Sequence, residues 1–319
     1  MISFRYHVVT IVAVFLALGL GVLAGTTVLD QGLVSNLKQR TRDAERENFR
    51  IQRELASTKG AATQLQNLLQ QASPFLIQGR LTGSKAVVVA YNGTDTSARN
   101  EAVAALDESG ADVLAVLSVT DRMAAADPTS RSELESLLGS SSSADASPTP
   151  SQLTRQAAAG LADRLASGPR PGGPSPKRGG VDLLSAFLDR GFLRSSVAPG
   201  EIPRVGGPDQ VVVVVTGGDG PPPVPVSKFM VPLVEELDQH PAAWVAVGQS
   251  FGRSPEPLVP LIRRDASLSG DRMVTIDDLD PEHFGGLQLV LALQTLIDEG
   301  RGGDYGIGPD SETLLPAAG

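Results

Sequence analysis

The chain has 319 residues, with 27 lysines and arginines against 36 aspartates and glutamates, which gives a formal net charge of −9. This acidity argues against a general nucleic-acid-binding protein, because such proteins usually present a basic face to the phosphate backbone. The chain contains no cysteine, which excludes disulfides, thiolate metal sites and cysteine nucleophiles. Three histidines and four methionines leave few side chains that bind soft or borderline metals.

The N-terminal segment predicts a single membrane anchor over residues 1–30. Residues 8–29 carry no charge, and as a helix they are long enough to cross a bilayer. Arg5 precedes this run and Asp30 follows it, so the positive-inside rule places the N-terminus in the cytoplasm and the bulk of the chain outside it. A signal peptide cleaved near residues 22–24 is the alternative, but the length of the run favours a retained anchor.

A heptad pattern predicts a coiled-coil stalk over residues 31–78. Its a and d positions include the residues of the predicted dimerisation seam: Val34, Leu37, Asn48, Ile51, Leu55, Leu65 and Leu69. An asparagine at an a position can fix the register of a parallel dimer, and Ser73-Pro74 marks the expected end of the helix. We therefore expect a homodimer or higher oligomer; a single helix packed on the rest of the chain is the alternative.

Strands and helices alternate over residues 79–301. The predicted strands are 85–91, 111–120, 210–215, 242–247 and 273–276, and the predicted helices are 98–109, 130–138, 152–166, 181–193, 226–240 and 284–298. Flexible linkers are expected at 139–150 and 168–180, and a loose C-terminal tail at 302–319. Valine-rich strands that alternate with helices predict an α/β fold: a Rossmann-like domain with a mostly parallel sheet, displayed outside the cytoplasm.

A glycine-rich loop follows the most apolar strand and is the first candidate site. Thr216, Gly217, Gly218 and Asp219 come at the carboxyl end of that strand, where parallel sheets bind ligands. The chain has neither a G-x-G-x-x-G motif nor a Walker lysine, and three prolines at 221–223 remove backbone donors. The loop is therefore a candidate for a ligand or partner, with a plain turn as the alternative.

Two further patterns resemble functional motifs. Residues 248–252 match the G-x-S-x-G pattern around Ser250, but prolines at 255, 257 and 260 interrupt the helix that a nucleophile elbow requires. Residues 277–283 gather four carboxylates and His283, which could hold a hard cation, but Asp280 before a proline is better explained as a helix cap. We predict that the chain is not an enzyme and has no bound cofactor or resident metal.

Taken together, these segments resemble the actinobacterial MctB family, described as copper-transport outer-membrane proteins. The matching features are the Met-Ile-Ser start leading into residues 8–25, the stalk, VVVVVTGG at 211–218, and 276–308 with its IDDLD and DYGIG ends. The resemblance implies copper efflux and copper homeostasis at the cell envelope, with copper as the transported ion, and it supplies no copper ligands. An outer-membrane location is also implied by the resemblance.

The resemblance carries a second implication, because the family includes proteins linked to septation. These are described as binding a membrane partner and controlling peptidoglycan hydrolysis. The alternative function is therefore a non-enzymatic envelope scaffold that dimerises and binds a membrane protein to regulate cell division. An anchor, a stalk and an α/β domain favour this scaffold when the residues are considered alone.

Overall fold

The computed structural model describes residues 4–93, 96–139, 148–169, 182–196, 199–217, 220–250, 256–265, 267–268 and 270–316. For residues 26–34, 199–201 and 283 it describes the backbone without the side chains. The chain divides into two compact units, Met1–Asn67 and Leu68–Gly319. The anchor and stalk boundaries at residues 30 and 78 remain predictions from the sequence.

Helix α1 extends over 74 residues, Phe4–Ile77, and forms the described part of the first unit. Its first 22 residues, Phe4–Gly25, are long and apolar enough to cross a membrane, and the described residues contain no second helix of this kind. The structure thus agrees with the predicted single apolar helix at the N-terminus.

Helix α1 continues past its expected end at Ser73-Pro74. Pro74 lies inside the helix, which ends at Ile77. A proline removes only one backbone donor, and the carbonyl of Pro74 still accepts a hydrogen bond from the Gln78 N–H at 2.9 Å. Packing outweighs the local preference, because Ile77 is buried in the core of the second unit.

In the described part of the chain, seven strands form one sheet in the order β3-β2-β1-β4-β5-β6-β7. The strands are β1 Lys85–Tyr91, β2 Asp112–Val119, β3 Leu193–Ser195, β4 Gln210–Thr216, β5 Trp244–Gln249, β6 Met273–Ile276 and β7 Gly303–Tyr305. All neighbours are parallel except β2 and β3. The predicted α/β fold with a mostly parallel sheet is confirmed.

Helices cover both faces of this sheet. The remaining helices are α2 Thr96–Glu108, α3 Pro128–Leu138, α4 Pro150–Ser167, α5 Leu183–Asp189, α6 Met230–Gln239, α7 Leu258–Arg263 and α8 Gly285–Glu299. Helices α2 and α8 pack on one face, and α3 to α7 pack on the other. Alternate residues of β1 enter the two cores, with Val88 on one side and Val87 on the other. Burial on both faces explains the continuous apolar runs in the sequence.

The strand order reverses between β1 and β4. The chain passes from β1 to β2 on one side, and it later returns to place β4 on the other side of β1. In open parallel sheets, ligands bind outside the carboxyl ends of the strands at such a topological switch point. The end of β4, which leads into the predicted loop, lies at this position.

Two segments differ from the sequence prediction. The helix expected at 181–193 is shorter, because Gly191 adopts a positive φ of 73° and the chain reverses into β3, antiparallel to β2. The tail expected to be loose from residue 302 contains β7, which pairs with β6. Most of the two predicted linkers, at 140–147 and 170–181, lies outside the described residues.

The core packing predicts that alanine substitutions at two neighbouring residues of α7 lower the free energy of unfolding by different amounts. Ile262 is 2% exposed and Leu261 is 40% exposed. Ile262→Ala should lower the free energy of unfolding by about 2–5 kcal/mol, because it leaves a cavity, whereas Leu261→Ala should cost less than about 1 kcal/mol. The fluorescence of Trp244, the chain's one tryptophan, reports unfolding of the sheet in detergent-solubilised protein. Equal costs would contradict this assignment of the core.

Candidate functional site at the carboxyl edge of the sheet

The predicted glycine-rich loop begins at the carboxyl end of β4, as expected. Thr216 is the last residue of β4 and is 4% exposed. Its carbonyl accepts a hydrogen bond from the Ser250 N–H at 3.1 Å. Gly217 has a φ of 136°, and a Cβ there would lie 2.7 Å from the Ser250 nitrogen, so only glycine allows this close approach. Gly218 and Asp219 lie outside the described residues, and ligand or partner binding by this loop stays a prediction.

Two residues with buried hydroxyls end the strands at the switch point. Tyr91 ends β1 and Thr216 ends β4. The residues before them, Ala90 and Val215, are partners in the pairing of these two strands. Neither hydroxyl has a hydrogen-bond partner in the described part of the chain. Burial raises the pKa of Tyr91 far above its ordinary value, and the Glu256 carboxylate raises it further. The Met230 backbone opposes this rise in pKa without cancelling it, so the buried Tyr91 hydroxyl stays protonated.

The end of β5, the strand that pairs with β4, is fixed by hydrogen bonds to neighbouring segments. The side-chain oxygen of Gln249 accepts a bond from the Val259 N–H at 3.0 Å, which fixes the start of α7. Its backbone carbonyl accepts a bond from the Leu279 N–H at 2.7 Å. Ser250 is 7% exposed, and residues 251–255 and the side chain of His283 lie outside the described part. The absence of catalysis by Ser250 therefore remains a prediction.

Farther along the same edge, Asp277 forms a buried ion pair with Arg263 of α7. The guanidinium Nη1 lies 3.1 Å from Asp277 Oδ2, and both side chains are at most 5% exposed. Arg263 also donates from Nε to the Thr275 hydroxyl at 2.7 Å and from Nη2 to the Tyr305 carbonyl at 2.9 Å. These bonds satisfy the buried cation on three sides, as a buried charge requires.

The C-terminal segment encloses the other side of Asp277. The backbone N–H groups of Ile307 and Gly308 donate to the two carboxylate oxygens, each at 2.9 Å, and the Ser311 hydroxyl donates to Oδ2. Gly306 has a φ of 133°, and a Cβ there would overlap Asp277 Oδ1. The two motifs that carried the resemblance at this end, at 276–280 and 304–308, thus contact each other directly.

Sequence reasoning misses this cluster. It offers Asp277 only as one of the possible cation ligands at 277–283, and it gives no role to Arg263. The two glycines at 306 and 308 are the available signal, because closely spaced glycines permit the backbone to approach a buried anion. The described residues contain no group of three or more His, Asp or Glu side chains that could hold a metal ion.

The predicted cap at Asp280 is confirmed. Its carboxylate accepts a hydrogen bond from the Glu282 N–H at 3.0 Å, and Pro281 occupies the first position of the short 3₁₀ helix that follows. Nearby, Glu101 of α2 accepts a bond from the Gly286 N–H at the start of α8. Burial raises the pKa of Glu101, and this N–H opposes the rise. The carboxylates of Asp280 and Glu101 therefore serve the starts of helical segments.

Three of the described side chains of copper-binding type are buried in the core, whereas His7 is exposed on α1. Met123, Met230 and Met273 are at most 5% exposed and belong to one hydrophobic core. The Nε2 atom of His240 lies 3.9 Å from Asp163 Oδ1. Met1 and the side chain of His283 are outside the described part of the chain. The three methionines therefore supply no copper-binding group on the surface of the sheet domain.

The predicted dimerisation residues lie on a continuous helix. Leu37, Ile51, Leu55 and Leu65 are each more than half exposed, and Asn48 is exposed as well. Leu69 is partly buried, and the side chain of Val34 is not described. The helix is therefore present, while pairing of two helices along these residues stays a prediction.

The Asp277 ion pair predicts a strong contrast between two adjacent arginines. The side chain of Arg263 is 5% exposed, whereas that of Arg264 is 74% exposed and lies 3.4 Å from Asp310. Arg263→Gln should lower the free energy of unfolding by about 3–5 kcal/mol, because it leaves Asp277 charged and buried without its partner. Arg264→Gln should change it by no more than about 0.5 kcal/mol. Denaturant titrations followed by tryptophan fluorescence check both; a small effect at Arg263 would refute the structural role.

Comparison with known proteins extends over nearly the whole chain. A family model described as "Copper transport outer membrane protein, MctB" matches residues 1–316. The protein named copper transporter MctB from Mycobacterium tuberculosis (strain ATCC 25618 / H37Rv) is 28% identical over 321 residues, which are 97% of each chain. The protein of that name from Mycobacterium leprae (strain TN) is 27% identical over 329 residues, covering 98% of this chain and 99% of the relative. Because the family model includes the apolar helix and the sheet domain together, this chain belongs to the MctB family.

Proposed function

We propose that this chain is a membrane-anchored cell-envelope protein that takes part in copper efflux and copper homeostasis. The observation that carries the proposal is the match of the MctB family model to residues 1–316. The relatives named copper transporter cover 97% or more of the chain, so the likeness includes the anchor, the long helix and the sheet domain. Copper is in this proposal the transported ion and not a resident cofactor.

The proposed topology places the N-terminus in the cytoplasm and the sheet domain outside it. Phe4–Gly25 crosses the membrane, and Arg5 at its start supports the orientation through the positive-inside rule. The family description adds an outer-membrane location to the proposal.

The proposed transport role requires more than one chain. A single span does not enclose a path across a bilayer, because a polar path needs several helices or a closed barrel around it. The buried methionines of the sheet domain also serve its core. We therefore include in the proposal a homodimer formed through α1 and a membrane protein partner that supplies the remaining walls of the path.

The scaffold in cell division is not proposed. An anchor, a long helix and an α/β domain would suit it, but the relatives named above are all described as copper transporters. The scaffold role is instead the conclusion that one result of the experiment below would favour. We also propose that the chain is not an enzyme, so the hydroxyl of Ser250 should be dispensable.

The test is cell-associated copper in a strain that lacks this chain, grown in excess copper, with zinc measured in the same cells. We expect copper to rise while zinc stays constant, and the intact gene to restore the copper level. The variant Ser250→Ala should restore it as well as the intact gene. Unchanged copper, or copper and zinc rising together, would refute specific copper transport and favour an envelope scaffold.

A variant pair separates copper binding by core methionines from their packing role. Met123→Leu and Met273→Leu conserve volume and apolar character, so the fold should tolerate them. Because both side chains are buried in the core, we expect both variants to restore the copper level. Loss of complementation by a folded variant, shown by unchanged tryptophan fluorescence, would instead assign the thioether a role in the copper path.

A further inference from the structure

We propose that two copies of this chain pair along α1 as a parallel, in-register coiled coil over residues 37–65, called here the α1 seam. The inference deepens the proposed homodimer and rests on it, because it specifies the orientation, register and limits of the pairing. It is independent of whether copper is transported. The occupant of the exposed helix face is a second copy of the same chain.

The apolar stripe of the α1 seam is exposed in a single copy. Leu37, Ile51, Leu55 and Leu65 occupy a or d positions of one heptad register and are 52–58% exposed. The seam contains about four heptads and is about 43 Å long at about 1.5 Å per residue. Large exposed apolar residues repeated at a and d positions along one face of a helix are typical of a surface that is buried on association. Phe49, at a b position outside this face, is exposed as well.

The C-terminal limit of the α1 seam is set by the chain itself. Leu69 and Ala72 hold the next a and d positions, and both are already partly buried in a single copy. The helix then contributes Ile77 to the core of the second unit. Pairing of two helices is therefore confined to the residues before Leu69.

The charged positions that flank the α1 seam select the parallel, in-register arrangement. In such a pair, a g residue lies near the e residue five positions later in the second copy. This rule places Arg40 opposite Glu45 of the second copy, and Glu54 opposite Lys59 of the second copy. Two-fold symmetry repeats both contacts, so four pairs of opposite charge form.

The remaining flanking position within the seam introduces no like-charge contact. Glu47 faces the neutral Gln52 of the second copy in this register, and it pairs with Arg50 of its own helix at 2.5 Å. Gly60, the weakest helix former of the seam, lies at an f position and faces away from the second copy. Both anchors insert into the same membrane from one side, which also requires the helices to be parallel.

The surface of α1 contains a depression that fits one layer of this pairing. It has a volume of about 320 Å³, and Thr41, Ala44, Glu45 and Asn48 are among the residues that line it. These four hold successive a, d, e and a positions, the set that forms the hole for a d side chain of the second helix. Ala44 of the second copy would lie over this depression as its d side chain, next to an Asn48–Asn48 contact between the copies.

Disulfide formation in the full chain tests orientation and register, because the native chain has no cysteine. Thr41→Cys at an a position and Thr58→Cys at a d position should each form a disulfide with the same residue of the second copy when membranes are treated with diamide. Ser57→Cys at a c position is the matched control and should give at least about tenfold less product, because its Cα lies beyond the roughly 7 Å that a disulfide can span.

The outcomes separate this inference from the proposals on which it rests. The two variants are also expressed together. If disulfides then form only between a Thr41→Cys chain and a Thr58→Cys chain, the parallel register is overturned and the homodimer is retained. No disulfide from either variant would overturn the homodimer as well. The copper level of the same strains reports the transport role separately, so its failure is not mistaken for failure of the pairing.

Charge reversal tests the flanking contacts. Glu54→Lys places two like charges together in each of two contacts and should weaken the dimer by about threefold to tenfold, measured as its dissociation constant in detergent. Adding Lys59→Glu to that variant should return the constant to within about twofold of the native value. Arg53→Glu at an f position is the control and should have no effect. A double variant as weak as Glu54→Lys alone would overturn the proposed register.

Discussion

Burial of the central strands on both faces is the constraint on which this structure depends. Every residue of β4 is buried, so neither face of the sheet can be left to solvent. Parallel strands also require crossover connections, and these connections place α2 and α8 on one face and α3 to α7 on the other. With both faces covered, polar groups gather at the carboxyl edge, where Thr216 ends β4 and Asp277 and Asp278 follow β6.

Charge at this edge is used to hold the fold together. The pair formed by Arg263 and Asp277 gains little net stability over an apolar pair of the same size, because both charges lose their hydration. The Asp277 carboxylate also accepts bonds from the Ile307 and Gly308 N–H groups, and in this way it holds the C-terminal segment in place. The motif that marks the family at this end is therefore explained by its packing around Asp277.

The sheet is easier to predict from the sequence than the site, for physical reasons. Runs such as residues 211–215 are apolar throughout, and burial on both faces leaves them no other stable environment. Strands β3 and β7 have three residues each, too few to show a period, and they form by pairing with the edges of β2 and β6. The contact between Arg263 and the Tyr305 carbonyl joins residues 42 apart, which local patterns do not encode.

The long helix and the anchor together constrain how a copper path can be built. The α1 seam, if paired as proposed, brings two copies of Phe4–Gly25 together at its N-terminal side. Gly21 and Gly25 carry no side chain beyond hydrogen, which lets the backbones of two such helices approach closely. Two helices packed in this way leave no room for a polar path between them. In the proposed arrangement, the copper path therefore lies between the pair and the proposed membrane partner.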